Sequence, residues 1–169
     1  ARIPLAIREP IVDVPPRAIY GFAQDEVLLV TVGRLIRRKQ VDQLIRVMAR
    51  LRADNLPVRL LVLGAGPEDT ELQALAQQVG VESCIHFMGF VSEEEKLGLL
   101  SMADIHVSTS QHEGFGLVYL EGMACGLPII CYSHGGQTDF LEDEKTGYLV
   151  GLDDLYTFET RCRQLIQNQ

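Results

Sequence analysis

The chain has 169 residues, 47% hydrophobic and 22% charged, enough for one compact domain with a buried core, which excludes disordered and fibrous classes. A formal charge of -8 argues against a nucleic-acid partner, because neutralising many phosphates needs a basic face. No apolar run nears the roughly 18 to 20 residues of a membrane span, the N-terminus has no signal-peptide core, and Cys84, Cys125, Cys131 and Cys162 lack metal-ligand spacing. These features point to a soluble cytoplasmic protein with reduced thiols.

Residues 1–20, with Pro10, Pro15 and Pro16, read as a linker and lead-in to a short helix, and residues 21–169 as a single domain. Six short apolar runs follow, at Val27 to Val32, Val58 to Leu63, Cys84 to Phe87, Asp104 to Ser108, Leu127 to Cys131 and Gly147 to Val150. Most are continuously apolar, as strands covered on both faces are, and amphipathic segments separate them. The pattern predicts an α/β, Rossmann-like, doubly wound parallel sheet of about six strands with helices on both faces. Val41, Leu44, Ile45, Met48 and Leu51 form the apolar stripe of a first helix over Val41 to Arg52. Pro67 in the first turn and Gly80 at the end bracket a second, and Ser92 with Glu95 makes a capping box ahead of a third, over Lys96 to Leu100. A fourth starts near Gly116 and is stopped by Gly126 and Pro128; Gly135-Gly136 announces a further helix over Gln137 to Leu141, with Thr138 as a cap. Asp153 to Gln169 is helical and ends without a stop signal, so a piece cut from a longer chain at both ends is expected.

Three stretches carry chemistry. Glu113-Gly114-Phe115-Gly116-Leu117-Val118-Tyr119-Leu120-Glu121 follows the fourth strand and opens a helix. In open α/β sheets ligands bind beyond the carboxyl ends of the strands, and a glycine-flanked helix start offers free N–H groups to a phosphate. Glu121 lies about 6 Å further along the helix, at 1.5 Å per residue. Two carboxylates would flank the phosphate seat, and carboxylates bind hydroxyls rather than phosphates, so a phosphate with sugars on both sides fits. A lone Glu is commonly just a solvated acid. Gly-Phe-Gly at a strand-to-helix junction is hard to explain by packing alone. Gly33-Arg34-Leu35-Ile36-Arg37-Arg38-Lys39 places four cations after the first strand, at the same sheet edge, able to neutralise a diphosphate; for Arg37 and Arg38 a solvated basic loop is an equal reading. Gly64-Ala65-Gly66-Pro67 is a turn after the second strand, and Asp69 stands where a dinucleotide fingerprint needs its third Gly, leaving backbone lining for a base or ribose. His86 reads as a strand or core histidine and His112 as a candidate ligand contact. Cys125 at a helix end, with His134, is better explained by packing than as a nucleophile.

These motifs, in this order, resemble the carboxyl-terminal domain of GT-B-fold retaining glycosyltransferases of family four, over about Val27 to Val150. Gly33-Arg34-Leu35 with Lys39 is similar to the family's phosphate motif, with Gln40 where a Gly usually follows the Lys. Gly64-Ala65-Gly66-Pro67 resembles its Gly-x-Gly-Pro turn. The segment Phe87 to Val91 resembles the one whose backbone faces the nucleobase, and Ala103-Asp104 also fits. Glu113 and Glu121 match its Glu-x7-Glu motif, with Gly122 where Ala is common and Asp139 in place of a Glu.

The resemblance implies roles at these positions. Arg34 and Lys39 would hold the diphosphate together with backbone N–H groups of Gly116, Leu117 and Val118. Glu121 would accept from the ribose, and Glu113 would contact the transferred sugar. Gly33, Gly64, Gly66, Phe90, Val91, Gly114 and Phe115 would complete the donor site. Glu113, Arg34 and Lys39 would be the catalytic set, with no metal and no cofactor. The substrate would be a nucleotide sugar such as a UDP- or GDP-sugar. An N-terminal domain of the same enzyme would supply the acceptor site, so this chain alone would be inactive or nearly so; membrane association of the parent enzyme is left open. Competing readings are a sugar-nucleotide epimerase domain, which should carry catalytic acids and histidines in other loops, and a non-catalytic nucleotide-binding module.

Overall fold

The computed structural model describes residues 13–168. Linker residues 1–12 and Gln169 lie outside the described residues. Six strands, β1 (Val27–Val32), β2 (Val58–Leu63), β3 (Ile85–Gly89), β4 (Ile105–Ser108), β5 (Ile129–Tyr132) and β6 (Gly147–Val150), form one sheet in the order 3-2-1-4-5-6. Every neighbouring pair is parallel, with Leu29 beside both Leu60 and Ile105 at the centre. The helices are α1 (Val41–Ala53), α2 (Asp69–Gln78), α3 (Glu93–Met102), α4 (Leu117–Ala124) and α5 (Leu155–Gln167). This is the doubly wound α/β architecture expected from the alternating pattern.

Side chains alternate between the two sheet faces. Leu29, Leu60, Val62, Val107 and Ile130 pack with α1, α2 and α5 in the larger core. Leu28, Val30, Leu61 and Leu63 turn the other way onto Leu99, Leu100 and Met102 of α3, and Ile129 and Cys131 pack with Tyr119 of α4. Both faces are covered, which is why β1 and β2 are apolar apart from Thr31 and Arg59.

Several boundaries differ from expectation. Cys84 belongs to a 3-10 turn before β3, and β5 starts at Ile129 because Leu127 and Pro128 complete the stop of α4. Pro67 lies in the turn ahead of α2, which begins at Asp69, rather than in its first turn. The Ser92–Glu95 capping box forms in both directions and starts α3 at Glu93. The helix expected after Gly135-Gly136 is a single 3-10 turn, Gly136–Asp139; Thr138 does not cap it but donates through Oγ1 to the Gly135 carbonyl at 2.9 Å. Buried Gln137 holds this turn by donating Nε2 to the Tyr132 and His134 carbonyls.

The lead-in is tied to the sheet. Arg17, in a 3-10 turn over Arg17–Tyr20, donates to the carbonyls of Glu26 and Met102 and pairs with Asp104 at 2.7 Å, while the other Asp104 oxygen accepts from the Leu28 N–H. Asp104 thus joins lead-in, β1 and β4. The four cysteines are unpaired. Cys125 packs against Ser101 of α3 before β5 begins, whereas His134 follows its far end and meets His112 edge-on at 5.6 Å, so no thiol–imidazole pair forms.

His106, in the middle of β4, is fully buried and neither ring nitrogen has a hydrogen-bond partner. Burial, reinforced by the charge of Lys39, lowers its pKa to about 3. The folded chain therefore keeps this ring neutral while the unfolded chain protonates it below about pH 6.5, so its contribution to stability falls with pH between those two values. Replacing His106 with Leu should remove this dependence. Between pH 8 and pH 5 the parent should lose about 2 kcal/mol more than His106→Leu, from about 1.4 kcal/mol per unit below the unfolded pKa. Urea unfolding of both chains at the two pH values measures the difference, and parallel losses would show that His106 titrates elsewhere.

Candidate functional site

The strand order reverses between β1 and β4, and the loops leaving these two neighbours enclose the crevice where open α/β sheets bind ligands. The loop after β1 is shaped by close backbone packing. A Cβ on Gly64 would lie 1.9 Å from the Gly33 carbonyl oxygen, and one on Gly66 would lie 2.1 Å from that of Leu35. The two glycine turns are therefore pressed together, and neither Gly64 nor Gly66 has room for a side chain. Gly33 keeps the surface low where Lys39 folds back across it, its absent Cβ falling 3.2 Å from Lys39 Cε.

Lys39 ends a 3-10 turn over Arg37–Lys39, and Gln40 follows with φ 47°, in the left-handed region. That conformation explains why Gly is customary at this position, since a side chain strains it. Gln40 is held by Thr109, whose hydroxyl donates to its carbonyl at 2.8 Å, and by its own amide donating to Asp153. The Gln111 N–H donates to the Arg38 carbonyl, so the loops after β1 and β4 are stitched together.

This stitching places Lys39 Nζ on Glu113 Oε1, a contact between residues 74 apart in sequence. Both side chains are largely buried, at 14% and 11% exposure. Behind Glu113, Gly135 and Gly136 abut the loop: a Cβ on Gly136 would meet the Gly114 carbonyl oxygen at 2.2 Å, and its N–H donates to the Glu113 carbonyl. Gly116, at φ 79°, turns the chain into α4; the Tyr119 N–H donates back to the Gly116 carbonyl, while the N–H groups of Leu117 and Val118 have no partner among the described residues. Its Cβ would strike the buried Tyr119 ring at 2.7 Å, so only Gly fits. Gly114 and half-exposed Phe115 and Leu117 border the opening.

Arg34 is exposed and forms no ion pair among the described residues, as are Arg37 and Arg38. It borders a groove of about 410 Å³ lined by the ends of β1 and β2, by Phe90 and Val91 and by Glu93 and Lys96. Phe90 is 87% exposed. His112 is exposed beside Glu113, and half-buried His86 of β3 packs edge-on against Phe22 away from the groove. A second cavity of about 400 Å³, between Met123, Tyr148 and Leu165, lies at the amino ends of β5 and β6, away from all these loops.

Glu121 faces α3. Lys96 Nζ lies 2.9 Å from its Oε2 and 2.7 Å from Glu93 Oε2. Burial would lower the Lys96 pKa, but pairing with the two acids outweighs it and the ammonium is held above the ordinary lysine value. Each acid of the Glu-x7-Glu stretch is therefore matched by a buried lysine. Lys96 was not anticipated from sequence; its i,i+3 spacing from Glu93 was visible, but its approach to Glu121 depends on how α3 packs on α4. Among the described residues no His, Cys, Asp and Glu side chains cluster as a metal site requires, and no helix is long and apolar enough to cross a membrane.

Comparison with known proteins settles the family. The profile for glycosyl transferases group 1 matches residues 16–169. The chain belongs to this family. It is 32% identical over 157 residues to the GDP-mannose-dependent alpha-(1-6)-phosphatidylinositol monomannoside mannosyltransferase of Mycolicibacterium smegmatis, covering 89% of this chain and 41% of that one. It is 29% identical over 150 residues to the N-acetyl-alpha-D-glucosaminyl L-malate synthase of Bacillus anthracis, covering 89% and 39%. Anabaena HepE, solved in complex with UDP-glucose, superposes with a TM-score of 0.81 at 25% identity, over 90% of this chain and 42% of that one. The chain thus spans well under half the length of these group 1 relatives.

The left-handed Gln40 leads to a direct test. Gln40→Gly should raise stability by about 0.5 to 1 kcal/mol, relief of the backbone outweighing the added freedom of the unfolded chain and the lost contact with Asp153. Thermal unfolding of the two chains checks this, and a lower melting temperature in the variant would mean that the Gln40–Asp153 contact matters more than the strain.

Proposed function

We propose that this chain is the donor-binding domain of a retaining glycosyltransferase that moves a sugar from a nucleoside-diphosphate sugar to an acceptor. The observation that carries the reading is the meeting of Lys39 and Glu113 beside the start of α4, at the point where strand order reverses. An ammonium has three donors, so Lys39 can keep Glu113 and still reach a phosphate oxygen. Arg34, which forms no ion pair among the described residues, adds a planar fork, and the α4 start adds backbone N–H groups and the positive end of a helix dipole. The net charge of -8 would repel a diphosphate, and this local cluster answers that repulsion.

In this reading the diphosphate lies between Arg34, Lys39 and the N–H groups of Leu117 and Val118, the nucleoside extends into the groove along Gly33, Gly64, Phe90 and Val91, and Glu121 accepts from the ribose. Glu113 meets the sugar. As the bond from the anomeric carbon to the phosphate oxygen lengthens, positive charge grows on the sugar ring and negative charge on the leaving diphosphate. Arg34, Lys39 and the helix start stabilise the latter, the charge that develops most in the transition state. No step is assigned to a metal. HepE was solved with UDP-glucose, and the mycobacterial relative is named as GDP-mannose-dependent, so UDP- and GDP-sugars are the donor classes to test. Four cysteines without a disulfide fit a reducing, cytoplasmic setting.

Titration calorimetry with UDP and GDP at fixed salt tests the clamp. Arg34→Ala and Lys39→Ala should each weaken binding about tenfold or more, the loss of a charge-assisted contact of about 1.5 to 3 kcal/mol. Glu113→Gln should affect the sugar nucleotide chiefly, and Glu121→Gln the nucleotide with or without the sugar. Unchanged affinity in both cation variants would remove the clamp.

The acceptor site and solvent exclusion are assigned to an N-terminal domain of the parent enzyme, which is where any membrane association would also be sought. The 169-residue chain should therefore bind donor but transfer sugar far more slowly than the parent, since lost orientation alone costs several kcal/mol, of the order of 7 or more. Product formation from a donor that the parent accepts measures this. Turnover within about tenfold of the parent would place the reacting groups inside this domain.

A further inference from the structure

Lys96 is 8% exposed, at the floor of the groove of about 410 Å³, on the fourth residue of α3. Its ammonium sits between two acids of different character. Glu93 is 85% exposed on the groove rim, and Glu121 is 23% exposed on α4. The simplest account is a tie between the helices. The ammonium lies 2.9 Å from Glu121 Oε2, an oxygen shielded from solvent, so it anchors one end of that carboxylate. A carboxylate has about four acceptor sites, so one ammonium leaves room for further donors, and hydroxyl groups are donors that bind carboxylates well.

Resting on the assignment of Glu121 to the ribose, we propose that Lys96 is a positioning residue for nucleoside recognition, whose ammonium holds the Glu121 carboxylate turned toward the ribose hydroxyls while Glu93 balances it at the rim. The charge of Lys96 is secure, because pairing with both acids holds its pKa up despite burial. Without it, the Glu121 carboxylate loses its counter-ion and swings out toward water, away from the ribose. The diphosphate clamp sits on other loops and is untouched, so losing Lys96 should weaken recognition of the ribose and leave recognition of the phosphates alone.

The test titrates UDP, GDP, their 2′,3′-dideoxy analogues and inorganic pyrophosphate into the parent chain, Lys96→Met, Lys96→Gln and Glu121→Gln, with circular dichroism to confirm folding. Lys96→Gln is included in case the apolar replacement does not fold. The parent should prefer the ribonucleotide to its dideoxy analogue by about tenfold, the size of one hydrogen bond to a charged group. In both Lys96 variants this ratio should fall toward one, as in Glu121→Gln, with pyrophosphate affinity unchanged. Folded Lys96 variants that keep the parental ratio while Glu121→Gln loses it would overturn the role of Lys96. If Glu121→Gln also keeps the ratio, the ribose assignment itself is wrong and the role of Lys96 falls with it.

Discussion

Parallel strands that wind outward in opposite directions from β1 leave a gap that no connecting helix can fill, and nearly everything about this chain's candidate site follows from that gap. The loops leaving β1 and β4 end on the same side of it, although more than seventy residues separate them in sequence. Their backbones are then locked by contacts too close for side chains, with Gly64 on Gly33, Gly66 on Leu35 and Gly136 on Gly114. The sheet supplies rigidity, and the glycines let the rigidity extend into loops that would otherwise move. The Lys39 side chain consequently lies over Gly33 and ends on Glu113 before any ligand arrives.

Electrostatics at this edge runs against the rest of the molecule. The chain is acidic overall, yet the crevice collects Arg34, Lys39 and Lys96 together with the positive end of α4. Two of the three cations are matched by acids, which keeps them affordable in a partly buried setting without cancelling their remaining donors. Arg34 has no ion-pair partner among the described residues. With Glu93 counted beside Glu113 and Glu121, three cations face three carboxylates, so the local advantage for an anion comes from the exposed guanidinium and the α4 start, felt within about a Debye length, roughly 8 Å at physiological salt. Anions approaching elsewhere on the surface meet mainly carboxylates.

The periodicity of apolar residues was enough to place six strands and their direction, because strands buried on both faces cannot hide in a sequence. The capping box at Ser92 and the glycine stop at Gly126 were equally legible, being local chemistry written in adjacent residues. Glu113, Lys39 and the Gly116 helix start could be named as candidates because each follows a strand end. What could not be read was anything decided by packing between helices. Lys96 looks like any solvated helix lysine until α3 is laid against α4. The closeness of Gly66 to Leu35, which leaves no space for a side chain, is likewise a packing fact, and the turn after Gly135 is too short to be the helix its glycines suggested because buried Gln137 pins it to the end of β5. The conformation of Gln40 was hidden for the opposite reason: the sequence offers a residue that tolerates many backbones, and only the geometry shows it in one that favours Gly.

Gly122 stands where family members commonly carry Ala, and the fold supplies the reason in His106. A Cβ at Gly122 would come within 2.6 Å of the buried His106 Nδ1 and 3.2 Å of Ile129, with no room for the ring to retreat beside Tyr119. The two positions are thus bound by a shared volume: a methyl group can enter the helix only after the strand gives up its imidazole. For the history of this sequence that sets an order of events. Either His106 arose on a background that already had Gly122, or both changed together, and a return to the common Ala must wait for a smaller residue at 106. Made in the opposite order, with Gly122→Ala first, the exchange passes through a crowded core, so the two positions are coupled and their substitution effects should not add.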